Sequence, residues 1–237
     1  MSAVTDEFIV TACAPRSAYP MGTLDDAEAI LAAHPGVATS DIYTVAILGD
    51  HAGAQRPLAD DRRRATAKGA PYGWDALTYG WDALTYLCFS RYLPLPGSDG
   101  FVGAAEALLD AGTDPNTGFF EPGHQPAATF ESALYGAAGV AHHAGVTRLL
   151  LARGADPNLG GEVGYHAPEG FDNDAMQAVV ESGRLAADGL TTMLHRKLDW
   201  TDLDGVRWLL EHSEMSEWTP HHTREILEAL QAARRRP

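Results

Sequence analysis

Two adjacent histidine pairs, His142-His143 and His221-His222, are the residues in this sequence that most resemble a reactive or metal-binding centre. Imidazole is a common metal ligand and general base. Neighbouring residues on a helix point about 100° apart, however, so the two rings of one pair rarely bind the same ion. No H-E-x-x-H motif, C-x-x-C pair or cluster of His and carboxylates at ligand spacing accompanies them. We therefore interpret both pairs as turn or surface residues and expect no metal.

Motifs for nucleophilic or phosphate chemistry are also missing from the sequence. Cys13 and Cys88 lie in apolar, helix-like segments, where a free cysteine behaves as a small buried hydrophobic residue. There is no G-x-S-x-G motif, and Gly160-Gly161 lacks the GxxxxGK[ST] pattern of a phosphate-binding loop. We predict a protein that is not an enzyme and has no cofactor, although catalytic groups distant in sequence can still meet in a fold.

The charge of the chain bears on its partners. Lys and Arg number 17 against 32 Asp and Glu, a formal net charge of −15. Such a surface repels phosphate backbones, so nucleic acid is not expected as a ligand. We interpret Arg62-Arg63-Arg64, beside Asp60-Asp61, and Arg234–Arg236 as solvated surface residues. The charge favours a basic protein partner, although acidity also keeps soluble proteins apart.

Hydrophobic residues make up 45 % of the chain, enough for a core. Met1–Ala14 has no basic n-region, which argues against a secretory signal peptide. No apolar run is long enough to cross a bilayer, so no membrane association is expected. These features predict a soluble cytoplasmic protein, which we expect to be a monomer.

An internal repeat is the main signal for the fold. Ala107–Asn116 and Leu149–Asn158 each have an apolar helix end, then a glycine, then Asp-Pro-Asn. Gly112 and Gly154 lie where a helix ends in a left-handed cap, a conformation without steric penalty for glycine. Weaker copies of the helix end lie at Ala29–Leu31, Arg56–Leu58, Val179–Gly183 and Leu209–Ser213.

A second apolar helix precedes each of these helix ends. The predicted helices are Asp6–Ala14, Asp41–Leu48, Trp81–Phe89, Glu131–Ala141, a segment around Tyr165–Pro168, and Leu190–Lys197. The order of helix, turn, helix, glycine and polar loop resembles the ankyrin repeat. The Gly-Ala-Asp-Pro-Asn segment at 154–158 is the best match, and the family pattern T-P-L-H-x-A is degraded to Thr192-Met193-Leu194-His195 and Asp82-Ala83-Leu84-Thr85.

The resemblance implies an all-α fold, a helical solenoid of about five to six irregular helix-turn-helix repeats with short loops called fingers. Residues 5–233 would form one ankyrin-repeat domain, and residues 234–237 a short basic tail. Because Thr219 suits an N-cap and Pro220 the first helical position, the segment after them is predicted to be a C-terminal capping helix. By resemblance, inner helices and fingers line a concave face that binds a protein.

Seven residues are repeated without change: Tyr72–Thr78 recur as Tyr79–Thr85. Seven residues return a helix to within about 20° of its starting face, so both copies could lie in register within one helix. Gly80 weakens such a helix, however, and favours a break or a loop. We expect Trp81–Tyr86 to occupy the helix because it leads into Leu87-Cys88-Phe89. Whether the duplication is natural or engineered is not determined by the sequence.

Aromatic residues near the predicted fingers and turns are candidate anchors for a partner, since large rigid side chains give much contact area. The candidate binding residues are Trp74, Asp75, Phe119, Phe120, Tyr165, His166 and Trp200. For Phe119, Phe120 and Trp200 the alternative is packing within long loops. Asp75, Asp82, Asp172 and Asp174 could form an acidic rim that attracts a basic partner. Three hypotheses for the function follow: a general interaction module, an acidic inhibitor or immunity-type protein, and an enzyme on a solenoid scaffold.

Overall fold

The computed structural model describes residues 2–14, 23–69, 71, 80–121 and 127–213. Within those ranges the chain is mostly helical, with twelve α-helices and one two-stranded sheet. The helices are α1 (Ala3–Ala12), α2 (Asp25–Ala33), α3 (Ile42–Ile47), α4 (His51–Asp60), α5 (Ala83–Cys88), α6 (Gly100–Asp110), α7 (Ala133–Tyr135), α8 (Ala144–Ala152), α9 (Glu162–His166), α10 (Asp174–Glu181), α11 (Ala187–Asp199) and α12 (Leu203–His212). Short 3-10 turns at Pro35–Thr39 and Arg62–Ala65 and a π-helical turn at Gly136–Val140 complete the helical content.

The sheet is a hairpin between α6 and α7, formed by β1 (Gly118–Glu121) and β2 (Thr129–Ser132). The strands are antiparallel, with Phe120 opposite Phe130. Phenylalanine and threonine pack well on a pleated surface, which favours strands over the helix predicted from residue 131. The hairpin departs from the all-helical architecture expected from the sequence.

The helices pack in the order in which they follow one another along the chain. Contacts join α1 to α2, α3 to α4, α5 to α6, α7 to α8, and α11 to α12. The first helices of successive pairs also contact each other, from α1 through α3, α5, α7 and α9 to α11. The second helices do so from α4 through α6, α8 and α10 to α12. Each helix therefore covers the apolar side of a neighbour.

One apolar core results from this packing. Buried side chains form a continuous cluster that begins at Phe8 in α1 and extends to Leu209 in α12. Trp81 and Tyr86 are its largest fully buried members. No helix of the described ranges is both long and apolar enough to cross a membrane.

Polar side chains at the helix starts explain where several helices begin. Asp41 accepts hydrogen bonds from the backbone N–H groups of Tyr43 and Thr44 at the start of α3, both 2.9 Å. Asp82 caps α5 and Ser132 caps α7 in the same way. These side chains accept from backbone donors that have no partner within the helix itself.

Each Asp-Pro-Asn segment is hydrogen-bonded to the corresponding segment that follows the next helix pair in the chain. Gly112 and Gly154 end α6 and α8 with φ values of 110° and 100°, as the repeat pattern predicts. The side-chain oxygen of Asn116 then accepts from the backbone N–H of Asp156 at 2.8 Å. Asn158 accepts from the N–H of Ala186 at 2.7 Å. Each asparagine therefore satisfies a backbone donor of the following segment and sets the spacing between them.

The second copy of the duplicated segment supplies α5, as predicted. Gly80, Trp81 and Asp82 are not helical, so α5 does not extend back into the first copy. Leu87-Cys88-Phe89 follow the second copy and are buried. After the first copy, the corresponding positions hold Gly80-Trp81-Asp82, which cannot fill the same apolar space. The buried residues that follow the duplication therefore determine which copy forms the helix.

The remaining helix predictions agree with the structure in position more than in length. The segment predicted around Tyr165–Pro168 lies at Glu162–His166, and Glu131–Ala141 divides into the end of β2, α7 and the π-helical turn. The capping helix expected after Thr219 lies outside the described residues.

Deleting seven residues, Tyr72–Thr78, should leave a folded protein, because the remaining copy retains every residue that forms α5. The backbone N–H of Gly69 bonds the carbonyl of Trp81 at 3.1 Å, so the four residues left between them can close the gap. We expect the melting temperature to change by less than about 4 °C, which corresponds to about 1 kcal/mol. Loss of cooperative unfolding in circular dichroism would contradict this account of the duplication.

Candidate functional site

Large apolar side chains that remain exposed concentrate in one part of the chain. In the described ranges they are Val10, Leu95, Tyr165, Phe171, Trp200 and Leu203. Four of these six lie between residues 165 and 203: at the end of α9, in the turn before α10, after the end of α11 and at the start of α12. We call Tyr165, Phe171, Arg196, Trp200 and Leu203 the aromatic surface. Exposed apolar groups that gather in this way are typical of interaction sites.

Arg196 connects the two halves of the aromatic surface. Its guanidinium lies 4.3 Å from the centre of the Tyr165 ring. It also pairs with Glu169, in the turn after α9, and with Asp199 at 3.0 Å. The next turn of α11 brings Trp200, whose backbone N–H bonds the carbonyl of Arg196. Arg196 therefore contacts Tyr165 through its side chain and lies one helical turn before Trp200.

Phe171 and Trp200 form an exposed aromatic pair. Their ring centres lie 6.3 Å apart and their planes are perpendicular. Phe171 is 69 % exposed and Trp200 40 % exposed, so much of both rings faces solvent. The edge-to-face arrangement is favourable for aromatic rings and orients both of them.

A buried ion pair holds the two turns that carry these rings. Lys197 is completely buried, and its ammonium donates to Asp202 at 2.9 Å and to the carbonyl of Gly170 at 2.8 Å. Asn173 donates to the same Asp202 oxygen at 2.9 Å. The turn before α10 and the turn before α12 are thereby joined through one carboxylate. Phe171 lies in the first of these turns, and Trp200 lies two residues before Asp202.

Asp202 stays ionised in this setting. Burial opposes ionisation, but hydrogen bonds from the Gly205 amide, Asn173 and Lys197 hold the pKa of Asp202 below its usual range. The backbone around it is constrained as well, because the preceding Thr201 adopts a positive φ of 54°. A non-glycine residue keeps such a conformation only where its surroundings enforce it.

His166 lies between two carboxylates beside Tyr165. Its Nδ1 is 3.1 Å from Glu169 and its Nε2 is 3.3 Å from Glu162. Burial alone would lower the pKa of His166, but these hydrogen bonds and negative charges raise it above its usual value. The ring also packs on Tyr135. We interpret His166 as a support for the aromatic surface rather than as a direct contact.

Two of the predicted binding residues, Trp74 and Asp75, lie outside the described residues. Phe119 is only 1 % exposed, and its ring stacks on Trp81 with centres 4.6 Å apart. Phe119 therefore follows the packing alternative, because the β-hairpin turns this side chain into the core. Its neighbour Phe120 is half-buried against Phe130, its cross-strand partner.

Asp82 also differs from the prediction that it belongs to an acidic rim. It is buried, and one of its oxygens accepts from both the N–H and the hydroxyl of Thr85 at 2.9 Å. The other oxygen accepts from Lys68 at 3.0 Å and from Thr117. All of these contacts serve to cap α5 and to tie the loop before it, so Asp82 has a structural role.

The pair His142-His143 and the two cysteines have structural surroundings, whereas His221-His222 lie outside the described residues. Nδ1 of His143 accepts from the N–H of Val146 at 3.1 Å and caps α8. Burial lowers the pKa of both His142 and His143. Cys13 and Cys88 are free, and burial raises the pKa of each thiol. Within the described ranges, no group of three or more His, Cys, Asp or Glu residues could hold a metal ion.

Of the aromatic surface, the sequence predictions include Tyr165 and Trp200 but not Phe171, Arg196 or Leu203. A local signal exists for Phe171, since it is an apolar residue in the polar turn Glu169–Asn173. Arg196 has no such signal, because its role depends on Tyr165 and Glu169 from another helix and turn.

Comparisons with known proteins add no relative. No protein-family model matches the sequence, no curated protein matches it, and no solved structure matches the fold.

Replacing the buried lysine, Lys197→Met, should destabilise the protein by about 3–5 kcal/mol, because it leaves the Asp202 carboxylate buried without its cation. Urea unfolding followed by circular dichroism measures the change. The double variant Lys197→Met with Asp202→Asn removes both charges and should be more stable than the single variant. An unchanged unfolding midpoint in the single variant would contradict the role assigned to the ion pair.

The raised pKa of His166 predicts a pH-dependent contribution to stability. Because the folded pKa exceeds the unfolded value, the contribution is complete below the unfolded pKa and is lost as pH rises through the folded pKa. His166→Gln keeps a polar side chain but cannot carry the charge. The difference in unfolding free energy between the original protein and this variant should be larger at about pH 5.5 than at about pH 8.5. A difference that stays constant with pH would exclude a charged His166.

Proposed function

We propose that this chain is a protein-binding module built as a helical solenoid of the ankyrin type. The fold proposal is supported by helix pairs that contact in chain order and by two Asp-Pro-Asn segments that each bond the following segment. A pair of short helices cannot bury its apolar side alone, and stacking of successive pairs provides the cover. On this proposal residues 5–233 form one repeat domain.

The aromatic surface is the part of this module that contacts the partner. The observation that carries the proposal is the exposed pair of Phe171 and Trp200, held on a rigid base by the buried Lys197–Asp202 pair. Aromatic residues and arginine dominate the binding energy of protein interfaces, and this surface combines both. It lies at the end of α9, in the turn before α10 and in the turn between α11 and α12, whereas the Asp-Pro-Asn segments follow α6 and α8.

The binding site is thus proposed on the turns rather than on the fingers. Of the residues predicted from sequence, Tyr165 and Trp200 keep their assignment as contacts. Phe119 is excluded by its burial, and His166 acts through Tyr165 and Glu169. A binding role without covalent chemistry is consistent with the structural roles of the buried Asp82 and Asp202 networks.

An acidic inhibitor of a basic enzyme is the second candidate function. The net charge of −15 favours it, because complementary charge accelerates association and suppresses unsuitable partners. Such an inhibitor would also bind through an exposed surface without cofactor. The two candidates differ in the partner. For the inhibitor alone, the partner is a basic enzyme whose activity falls on binding.

A photo-crosslinking amino acid placed at Phe171 should capture a partner from a lysate of the source cells. The matched control is the same substitution at Leu95, which is exposed outside the aromatic surface. The double variant Phe171→Ala with Trp200→Ala should weaken co-purification of that partner by about 2–4 kcal/mol, the loss expected for interface hot spots. Capture at Leu95 equal to that at Phe171, or an unchanged bound set for the double variant, would refute the proposed surface.

A further inference from the structure

The charges around the aromatic surface point to the chemistry of the partner. Residues 162–174 and 196–204 contain seven Asp and Glu residues but only three basic residues, His166, Arg196 and Lys197, and His166 is already bound by Glu162 and Glu169. Lys197 is buried against Asp202, so its charge is already matched inside the protein. The solvent-facing charge of this region is therefore strongly negative.

Some of these carboxylates already form ion pairs within the protein, and others do not. Glu162 and Glu169 contact His166, and Glu169 and Asp199 bind Arg196. Asp204 is exposed and pairs with the exposed Arg207. Asp172 and Asp174 flank the turn after Phe171, are exposed, and form no ion pair in the described part of the chain. One oxygen of Asp172 accepts a hydrogen bond from the backbone N–H of Asp174 at 3.1 Å, so its other oxygen and the carboxylate of Asp174 remain for an incoming cation.

Arg196 demonstrates how this surface holds a cation. Its guanidinium lies on the face of Tyr165 at 4.3 Å while two carboxylates, Glu169 and Asp199, bind its N–H groups. An aromatic face together with a carboxylate attracts a guanidinium or an ammonium group by two additive effects. Phe171 and Trp200 are also followed or preceded in the chain by a carboxylate, Asp172 and Asp199 respectively, and both rings are partly open to solvent.

We propose that the partner docks a basic segment on the aromatic surface, with an arginine or lysine side chain lying against Phe171 and Trp200 and facing Asp172 and Asp174. This inference rests on the proposed function and specifies the partner as a protein with an exposed Lys- or Arg-rich segment. Aromatic contacts provide the area, and the two carboxylates select for positive charge. A neutral or acidic segment is repelled or left without polar partners.

The probe is a fluorescein-labelled peptide in which arginine and glycine alternate. Its control is the same peptide with citrulline, which has nearly the size and planar shape of arginine but is neutral, because a urea oxygen replaces one nitrogen of the guanidinium. Fluorescence anisotropy should give a clearly lower Kd for the arginine peptide, and the preference should fall as salt is added. Equal binding of the citrulline peptide would overturn the proposal.

Variants separate a defined site from general attraction to an acidic protein. Phe171→Ala with Trp200→Ala should raise the Kd about tenfold, as expected for two lost cation–π contacts. Asp172→Asn with Asp174→Asn should raise it about fivefold. The matched control, Asp25→Asn with Asp26→Asn, changes the net charge equally on the exposed first turn of α2 and should have little effect. All of these positions are exposed, and melting curves verify that each variant folds.

Two results would overturn the inference without rejecting the proposed function. Equal weakening by the two aspartate pairs would mean that only the total charge matters. Failure of the arginine peptide to bind, while the partner crosslinked at Phe171 still depends on Phe171 and Trp200, would mean that the aromatic surface binds a partner of different chemistry. Failure of both experiments would instead reject the aromatic surface itself.

Discussion

Burial of short helices against their neighbours is the constraint on which this structure depends. The longest described helix has 13 residues and α9 has only five, so none would be stable alone in water. Their stability comes from packing, and the apolar cluster that extends from Phe8 to Leu209 passes through successive helix pairs. Each pair needs the next to cover its apolar side. A local change in one pair is therefore felt chiefly by the pairs on either side of it.

This arrangement leaves polar backbone groups at both ends of many short helices, and side chains satisfy them in two different ways. At the loop end, Asn116 and Asn158 each accept a hydrogen bond from the backbone of the following segment. At the turn end, Lys197 donates to the carbonyl of Gly170, and Asp202 caps α12 through the N–H of Gly205. The first solution repeats along the chain, whereas the second uses a buried charge pair and makes the turns near α11 and α12 different from the others.

That difference explains why exposed aromatic residues are placed where they are. Phe171 follows the carbonyl that Lys197 binds, and Trp200 follows the end of α11 with its N–H bonded to Arg196. Both side chains therefore project from backbone that is already ordered. Binding through such residues loses little conformational entropy, because the main chain does not have to be fixed on contact. The buried polar network thus orders the backbone from which Phe171 and Trp200 project.

The sequence by itself determined the features that depend on neighbouring residues: the glycine at the end of α6 and α8, the Asp-Pro-Asn turns after them, and most helix positions. It also selected the second copy of the duplicated segment, because the apolar residues Leu87–Phe89 follow only that copy. Tertiary structure alone decided that Phe119 is buried on Trp81 and that Phe171 is exposed beside Trp200. The physical reason is distance along the chain. A cap or turn is encoded within a few residues, but the exposure of a side chain depends on which remote helix or hairpin covers it.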